Sequence, residues 1–169
     1  MMGEHRTQSR RIAGSAVTAA MAGSPRPGVP GAVRTAFLLW LGAVGAGVAE
    51  TVVRVVDSLA AGAGAGVGGV VIRAVVYTAV IYVATRMRAG KRWARDTLAI
   101  GLGVVGTLSL VIDPISWLAA GNSLGEVFAD ADLLFAFVAP IRVVHLAAVV
   151  GALVYMYRPA AGAYFRAAR

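Results

Sequence analysis

The chain has 169 residues, of which 59% are hydrophobic and only 14% are charged, and its mean hydropathy is +0.75. An ordinary soluble domain carries about 25% charged residues, so this composition indicates a membrane protein. The sequence contains no cysteine, which excludes disulfides, iron–sulfur clusters and thiol redox chemistry within this chain.

The formal net charge of +8 could in principle indicate nucleic acid or anionic lipid as a partner. The basic residues flank apolar blocks and do not form a stripe interleaved with aromatic residues. We therefore expect no nucleic-acid partner and interpret the charge as a signal of membrane topology.

Residues 1–31 are rich in Arg, Ser, Ala, Gly and Pro and predict a disordered basic cytoplasmic tail. The alternative is a twin-arginine signal, because Arg10 and Arg11 precede a mildly apolar stretch and Ala20-Met21-Ala22 resembles a cleavage site. The bulky apolar residues expected after the arginines are replaced by Ala13 and Gly14, which favours the tail.

Four apolar blocks follow, and each is long enough to cross about 30 Å of hydrocarbon. They predict an all-α, antiparallel four-helix transmembrane domain over residues 32–157, followed by a short basic cytoplasmic tail at 158–169. The predicted helices span about 32–57, 67–87, 94–112 and 132–157. Gly90 is predicted to stop the second helix, Asp113-Pro114 to end or kink the third, and Pro140 to kink the fourth.

The positive-inside rule orients these helices. Five Lys or Arg residues precede the first apolar block, five lie between the second and third, and three follow the fourth, whereas the other two loops have none. We therefore predict that both termini and the central loop face the cytoplasm, in the cell inner membrane.

Two kinds of partner are expected of such a chain. Anionic lipids are predicted to bind the basic side chains around the central loop, which are Arg86, Arg88, Lys91, Arg92 and Arg95. Assembly into a homo-oligomer or a larger membrane complex stays open.

Seven ionisable residues lie within or close to the apolar blocks and form a predicted intramembrane polar cluster: Glu50, Arg54, Asp57, Arg73, Asp113, Arg142 and His145. At a rise of about 1.5 Å per residue, Glu50 and Arg73 lie at similar depth and Arg142 lies near the midplane. A charge at that depth needs a partner, for which Glu50 is the best candidate and Asp113 the second. The cluster is interpreted as a static ion-pair lock, as a solute or ion site, or as snorkelling of Arg54 and Arg73 toward the outer surface.

Motifs for catalysis or cofactor binding are missing from the sequence. The glycine-rich stretch 62–69 lacks the Lys-Ser/Thr of a phosphate loop, and His145 has only His5 as a second imidazole in the chain. We expect no catalytic residue, no cofactor and no metal.

The segment from Arg88 to Arg95, leading into residues 98–103, resembles a segment of small four-helix membrane proteins of actinobacteria whose function is uncharacterised. The resemblance covers about fifteen residues, and it implies the topology but no activity, cofactor or catalytic residue.

Two functions are compatible with these patterns. The first is a noncatalytic membrane subunit or scaffold that associates through Gly/Ala helix faces. The alternative is a small-solute or ion transporter or channel that uses Glu50, Arg73 and Arg142.

Overall fold

The structure, a computed structural model, describes residues 28–64, 66–121, 123, 125 and 132–168, apart from the side chains of Ser109 and Asp113. Nearly all of the predicted N-terminal tail therefore lies outside the described residues, as do the loop acids Glu126 and Asp130. The regular structure within the described ranges is entirely helical, which confirms the predicted all-α class.

Three of the elements are long helices, and three consecutive shorter elements join to form a fourth. The elements are α1 (Gly31–Ala60), α2 (Val67–Arg88), α3 (Arg92–Leu98), the π-helical segment π1 (Ala99–Gly106), α4 (Thr107–Ala119), α5 (Leu133–Met156) and α6 (Pro159–Ala167). Because α3, π1 and α4 follow one another without a break, they form one long third helix. The first, second, third and fourth long helices are each long and apolar enough to cross a membrane.

The third helix differs from its prediction in two ways. It does not end at Ile112 but continues through Pro114 to Ala119, so an end at Asp113-Pro114 is wrong, and the alternative of a kink there stays a prediction. A proline removes only one backbone hydrogen bond, and an apolar segment satisfies its remaining backbone groups best by staying helical. The second difference is π1, whose helical turns are wider than those of an α-helix. Three of its eight residues are glycines, Gly101, Gly103 and Gly106.

Two helix ends have clear local causes. Gly90 ends the turn after α2 with a φ of +83°, a left-handed conformation that favours glycine. At the start of α5, the Oδ1 atom of Asp132 accepts a hydrogen bond from the backbone N–H of Phe135 at 2.7 Å, which is an N-cap.

The predicted C-terminal tail is instead largely the helix α6, which packs against the rest of the protein. Pro159 suits a first helical position, and Phe165 is buried. Arg92 donates from Nε to the backbone oxygen of Phe165 at 2.8 Å, and the Tyr164 hydroxyl donates to the backbone oxygen of Arg88 at 2.9 Å. A basic composition therefore did not prevent this segment from folding.

The buried core lies toward one end of the helices, which we call the basic end because it carries Arg88, Arg92 and α6. Its largest fully buried side chains are Trp40, Phe165, Met87, Leu98, Met156 and Val33. At the opposite end, which carries the end of α1 and the start of α2, packing is looser, and α4 buries none of its described side chains. α1 packs most extensively on α5, so these two helices form the main contact of the fold.

Candidate functional site

A cavity of about 300 Å³ opens between the long helices on the opposite-end side of the core. α1, α2, the third helix and α5 all contribute to its wall. Ala43, Val44 and Val80 line it and also belong to the buried core, so the core closes the cavity toward the basic end.

An ion-pair network crosses this cavity from α1 to α5. Arg142 donates from Nε and Nη2 to Oε1 of Glu50, at 3.1 and 3.0 Å. Arg54, one helical turn after Glu50, donates from Nε to the same oxygen at 2.9 Å. The Glu50 side chain is only 16% exposed. One carboxylate oxygen therefore serves two guanidinium groups.

Arg73 and His145 line the cavity as well, from α2 and α5 respectively. Neither side chain makes a hydrogen bond or an ion pair with a described residue. The cavity thus contains three arginines, whereas Glu50 is the one carboxylate among its described lining residues.

Two members of the predicted cluster are not assembled with the others in the described part of the structure. Asp57 is exposed and lines a separate, mainly apolar groove between α1 and α5, with Leu133 and Phe137 among its neighbours. The backbone of Asp113 lies in α4, but its side chain is outside the described residues. The cavity therefore brings together Glu50, Arg54, Arg73, Arg142 and His145.

A hydroxyl pair that the sequence reasoning missed also lines the cavity. Thr51 donates from Oγ1 to the backbone oxygen of Gly47 at 2.8 Å, and its Oγ1 lies 3.1 Å from the hydroxyl of Tyr77. Because the only hydrogen of the Thr51 hydroxyl is used for Gly47, Tyr77 is the donor in that pair. Tyr77 lies four residues after Arg73, so the two residues share a helical face, and this spacing could have indicated that Tyr77 lines the same site.

Two further openings flank the cavity toward the opposite end. One, of about 410 Å³, is lined by Arg142 together with Asp132 and Pro114, and the other, of about 280 Å³, by Arg73 together with Ser58. The Arg54 side chain lines both openings and the cavity itself. Each of the three arginines therefore lines the cavity and at least one of the openings.

The chemistry offered by this site is charge recognition. Its donors are guanidinium N–H groups, and its described acceptors include a carboxylate that is already bonded. In the described ranges, no three His, Cys, Asp or Glu side chains come together as ligands for a metal ion.

Comparison with known proteins finds no match to a protein family, to a curated protein or to a solved structure. The interpretation of the site therefore rests on its own geometry.

Proposed function

We propose that this chain is a multi-pass protein of the cell inner membrane, with both termini in the cytoplasm, that binds a small charged solute from the outer side. The observation that carries the proposal is the cavity around Glu50 and Arg142, which is lined by charge and closed toward the basic end by the core. In this proposal the site belongs to a transporter or channel, and transport requires the core at the basic end to open.

Membrane insertion is supported by the exposed surface of the long helices. Large apolar side chains there are more than half exposed, among them Ile72 at 66%, Ile100 at 63% and Val143 at 68%. Such a surface is stable in lipid and unstable in water. The positive-inside bias supports the cytoplasmic position of the basic end.

Anionic lipids remain the proposed partners of the basic end. Part of the charge there also has an intramolecular role, since Arg95 stacks on the rings of Tyr157 and Phe165 and Arg86 donates to the hydroxyl of Tyr82 at 3.1 Å. Stacked guanidinium groups keep free N–H donors for lipid phosphates. Lys91 makes no such contact with the described residues.

A purely structural role for the ion pairs explains less of the site. A static lock of buried charges is favourable only where each charge is paired and its remaining hydrogen bonds are satisfied. Here Arg73 has no acidic partner among the described residues, and the charges face a cavity large enough for a small solute. Both features favour a binding site.

Flux through proteoliposomes is the direct test of the proposed function. The full chain would be reconstituted and assayed with a panel of inorganic ions and of small cationic and anionic solutes. Saturable uptake of a charged solute that is absent from protein-free liposomes would support the proposal. If no charged solute binds or moves while the protein remains folded, the proposal is wrong.

Reporter fusions after residues 64, 91, 124 and 169 test the orientation independently. We expect cytoplasmic signals at 91 and 169 and outer signals at 64 and 124. An outer signal at 91 or 169 would contradict the proposed topology.

A noncatalytic subunit or scaffold is the second candidate, and one observation favours it. Gly42 and Gly45 lie on an exposed part of α1 with open space around them, and Ala49 follows on the same face. Small residues on a lipid-facing helix surface allow a second helix to approach closely. Cross-linking of single cysteines at these positions in membranes would test whether another chain packs there.

A further inference from the structure

We infer that the solute site selects an oxyanion, a group of the carboxylate or phosphate class, and that Arg73 is the residue that recognises it. This inference rests on the proposed function and specifies the ligand of the same cavity. It is argued from the charges, the hydrogen bonds and the size of the cavity.

The described lining of the cavity carries an excess of positive charge. Arg54, Arg73 and Arg142 face it, whereas Glu50 supplies the one described carboxylate. A charge held away from water is costly unless it is paired or hydrated. An anion that enters the cavity would supply the missing negative charge, and a cation would add to the excess.

Free hydrogen-bond donors are the second argument. Arg54 uses only Nε in its contact with Glu50, so its Nη1 and Nη2 make no hydrogen bond to a described residue. All five N–H donors of Arg73 lack such a bond. The hydroxyls nearby are already used, because Thr51 donates to Gly47 and Tyr77 donates to Thr51. The unsatisfied donors of the cavity are therefore guanidinium groups, together with the imidazole N–H of His145.

Guanidinium geometry decides which anion fits. The planar fork of an arginine matches the paired oxygens of a carboxylate or a phosphate and forms two parallel hydrogen bonds with them. A volume of about 300 Å³ admits a small oxyanion or the headgroup phosphate of a lipid that enters between the helices. Arg73 is exposed, so it is accessible to either source.

The position of Arg73 separates recognition from the ion-pair network. Arg142 and Arg54 are held by Glu50, whereas Arg73 comes from a different helix and lines the cavity and one of the flanking openings. Neutralising Arg73 should therefore remove anion recognition without removing a bond of the described fold.

Calorimetric titration of the full chain in phosphatidylcholine nanodiscs tests the inference. The probes are inorganic phosphate, succinate and tetramethylammonium. We expect saturable binding of phosphate or succinate and none of tetramethylammonium. In Arg73→Gln the affinity should fall about tenfold or more, because a charged hydrogen-bonding partner is lost. Arg34→Gln, which removes an exposed arginine at the basic end, is the matched control and should bind like the original chain.

A lipid source of the oxyanion is tested in a second arm. Native mass spectrometry after incorporation into phosphatidylglycerol nanodiscs would then detect retained lipid, with less retention in Arg73→Gln than in Arg34→Gln. Circular dichroism and the melting temperature verify that each variant is folded. If Arg73→Gln does not fold, Arg73→Lys keeps the charge but loses the planar fork, and it should still weaken binding of the preferred oxyanion.

The outcomes distinguish the two proposals. Binding of tetramethylammonium without any oxyanion would overturn the selectivity but leave a charged-solute site. Oxyanion binding that is equal in Arg73→Gln and the original chain would overturn the role of Arg73. If none of the three solutes binds and phosphatidylglycerol retention is equal in Arg73→Gln and Arg34→Gln, the inference is wrong. If, in addition, no charged solute of the flux panel binds or moves, the proposed function is wrong as well.

Discussion

Arg142 directs two of its nitrogen atoms, Nε and Nη2, at a single oxygen of Glu50, at 3.1 and 3.0 Å. The contact joins α5 to α1, the two helices with the most extensive packing in the fold. The same oxygen also accepts a hydrogen bond from Arg54. Removal of the Glu50 carboxylate and removal of the Arg142 side chain should therefore lower stability by different amounts.

Glu50→Gln should therefore lower the melting temperature in detergent more than Arg142→Ala does. Loss of the carboxylate leaves two guanidinium groups facing each other, whereas loss of Arg142 leaves Glu50 paired with Arg54. Because Arg142 is 36% exposed, we expect only about 1–3 kcal/mol for its removal. Equal melting temperatures in the two variants and the original chain would show that the network does not stabilise the fold.

Gly47→Ala should weaken the contact between α1 and α2. A Cβ at this position would lie 2.8 Å from the Tyr77 hydroxyl oxygen and 3.1 Å from its ring, so the ring must move, which should weaken its hydrogen bond to Thr51. We expect a loss of about 1–3 kcal/mol, measured by thermal or chemical unfolding. Gly45→Ala is the matched control, because open space surrounds it and alanine favours a helix by about 1 kcal/mol over glycine. A similar effect of both substitutions would contradict the close approach.

Gly90→Ala should release α6 from the basic end. The new Cβ would lie 2.7 Å from Cβ of Ala168, and the left-handed backbone adds about 1–2 kcal/mol of strain. Hydrogen exchange of residues 159–167 should become faster. Gly121→Ala has a similar φ, +91°, but open space around it, so it should leave α6 protected. Unchanged exchange in Gly90→Ala would mean that α6 docks without this turn.

Single cysteines can test whether the cavity holds water, since the chain has none of its own. Val76 lines the cavity and is 48% exposed, whereas its neighbour Val75 is 64% exposed and does not line it. In membranes, a charged thiol reagent added from outside should modify Val76→Cys and not Val75→Cys, because only a hydrated thiol reacts. Failure to modify Val76→Cys would indicate a dry cavity.

Long apolar blocks made most of the fold predictable. The bounds of α1, α2 and α5 lie within three residues of their predictions. The ends of a long apolar block leave few positions at which its helix can begin or end. The rise per residue also fixes depth, which is why depth alone selected Glu50 as the partner of Arg142.

Other features depend on contacts that a linear pattern does not contain. π1 is a glycine-rich segment of the third helix, and hydrophobic periodicity has no separate signal for a π-helix. α6 is short, and its stability comes from Arg92 and from the burial of Phe165. The pairing of Thr51 with Tyr77 depends on the space at Gly47, which only the packed helices reveal.

If α1 spans the bilayer as proposed, the Glu50–Arg54 contact should also matter during synthesis of the chain. Arg54 leaves the ribosome four residues after Glu50, whereas Arg142 follows ninety-two residues later. For most of translation Arg54 is thus the available counter-ion for a carboxylate that must enter the bilayer, and a paired charge inserts more easily than an isolated one. We expect Arg54→Leu to reduce membrane insertion of a truncated chain that ends before α5, and Glu50→Gln in the same chain to restore it. A contact that is peripheral in the finished protein would then be the one that allows α1 to cross the membrane at all.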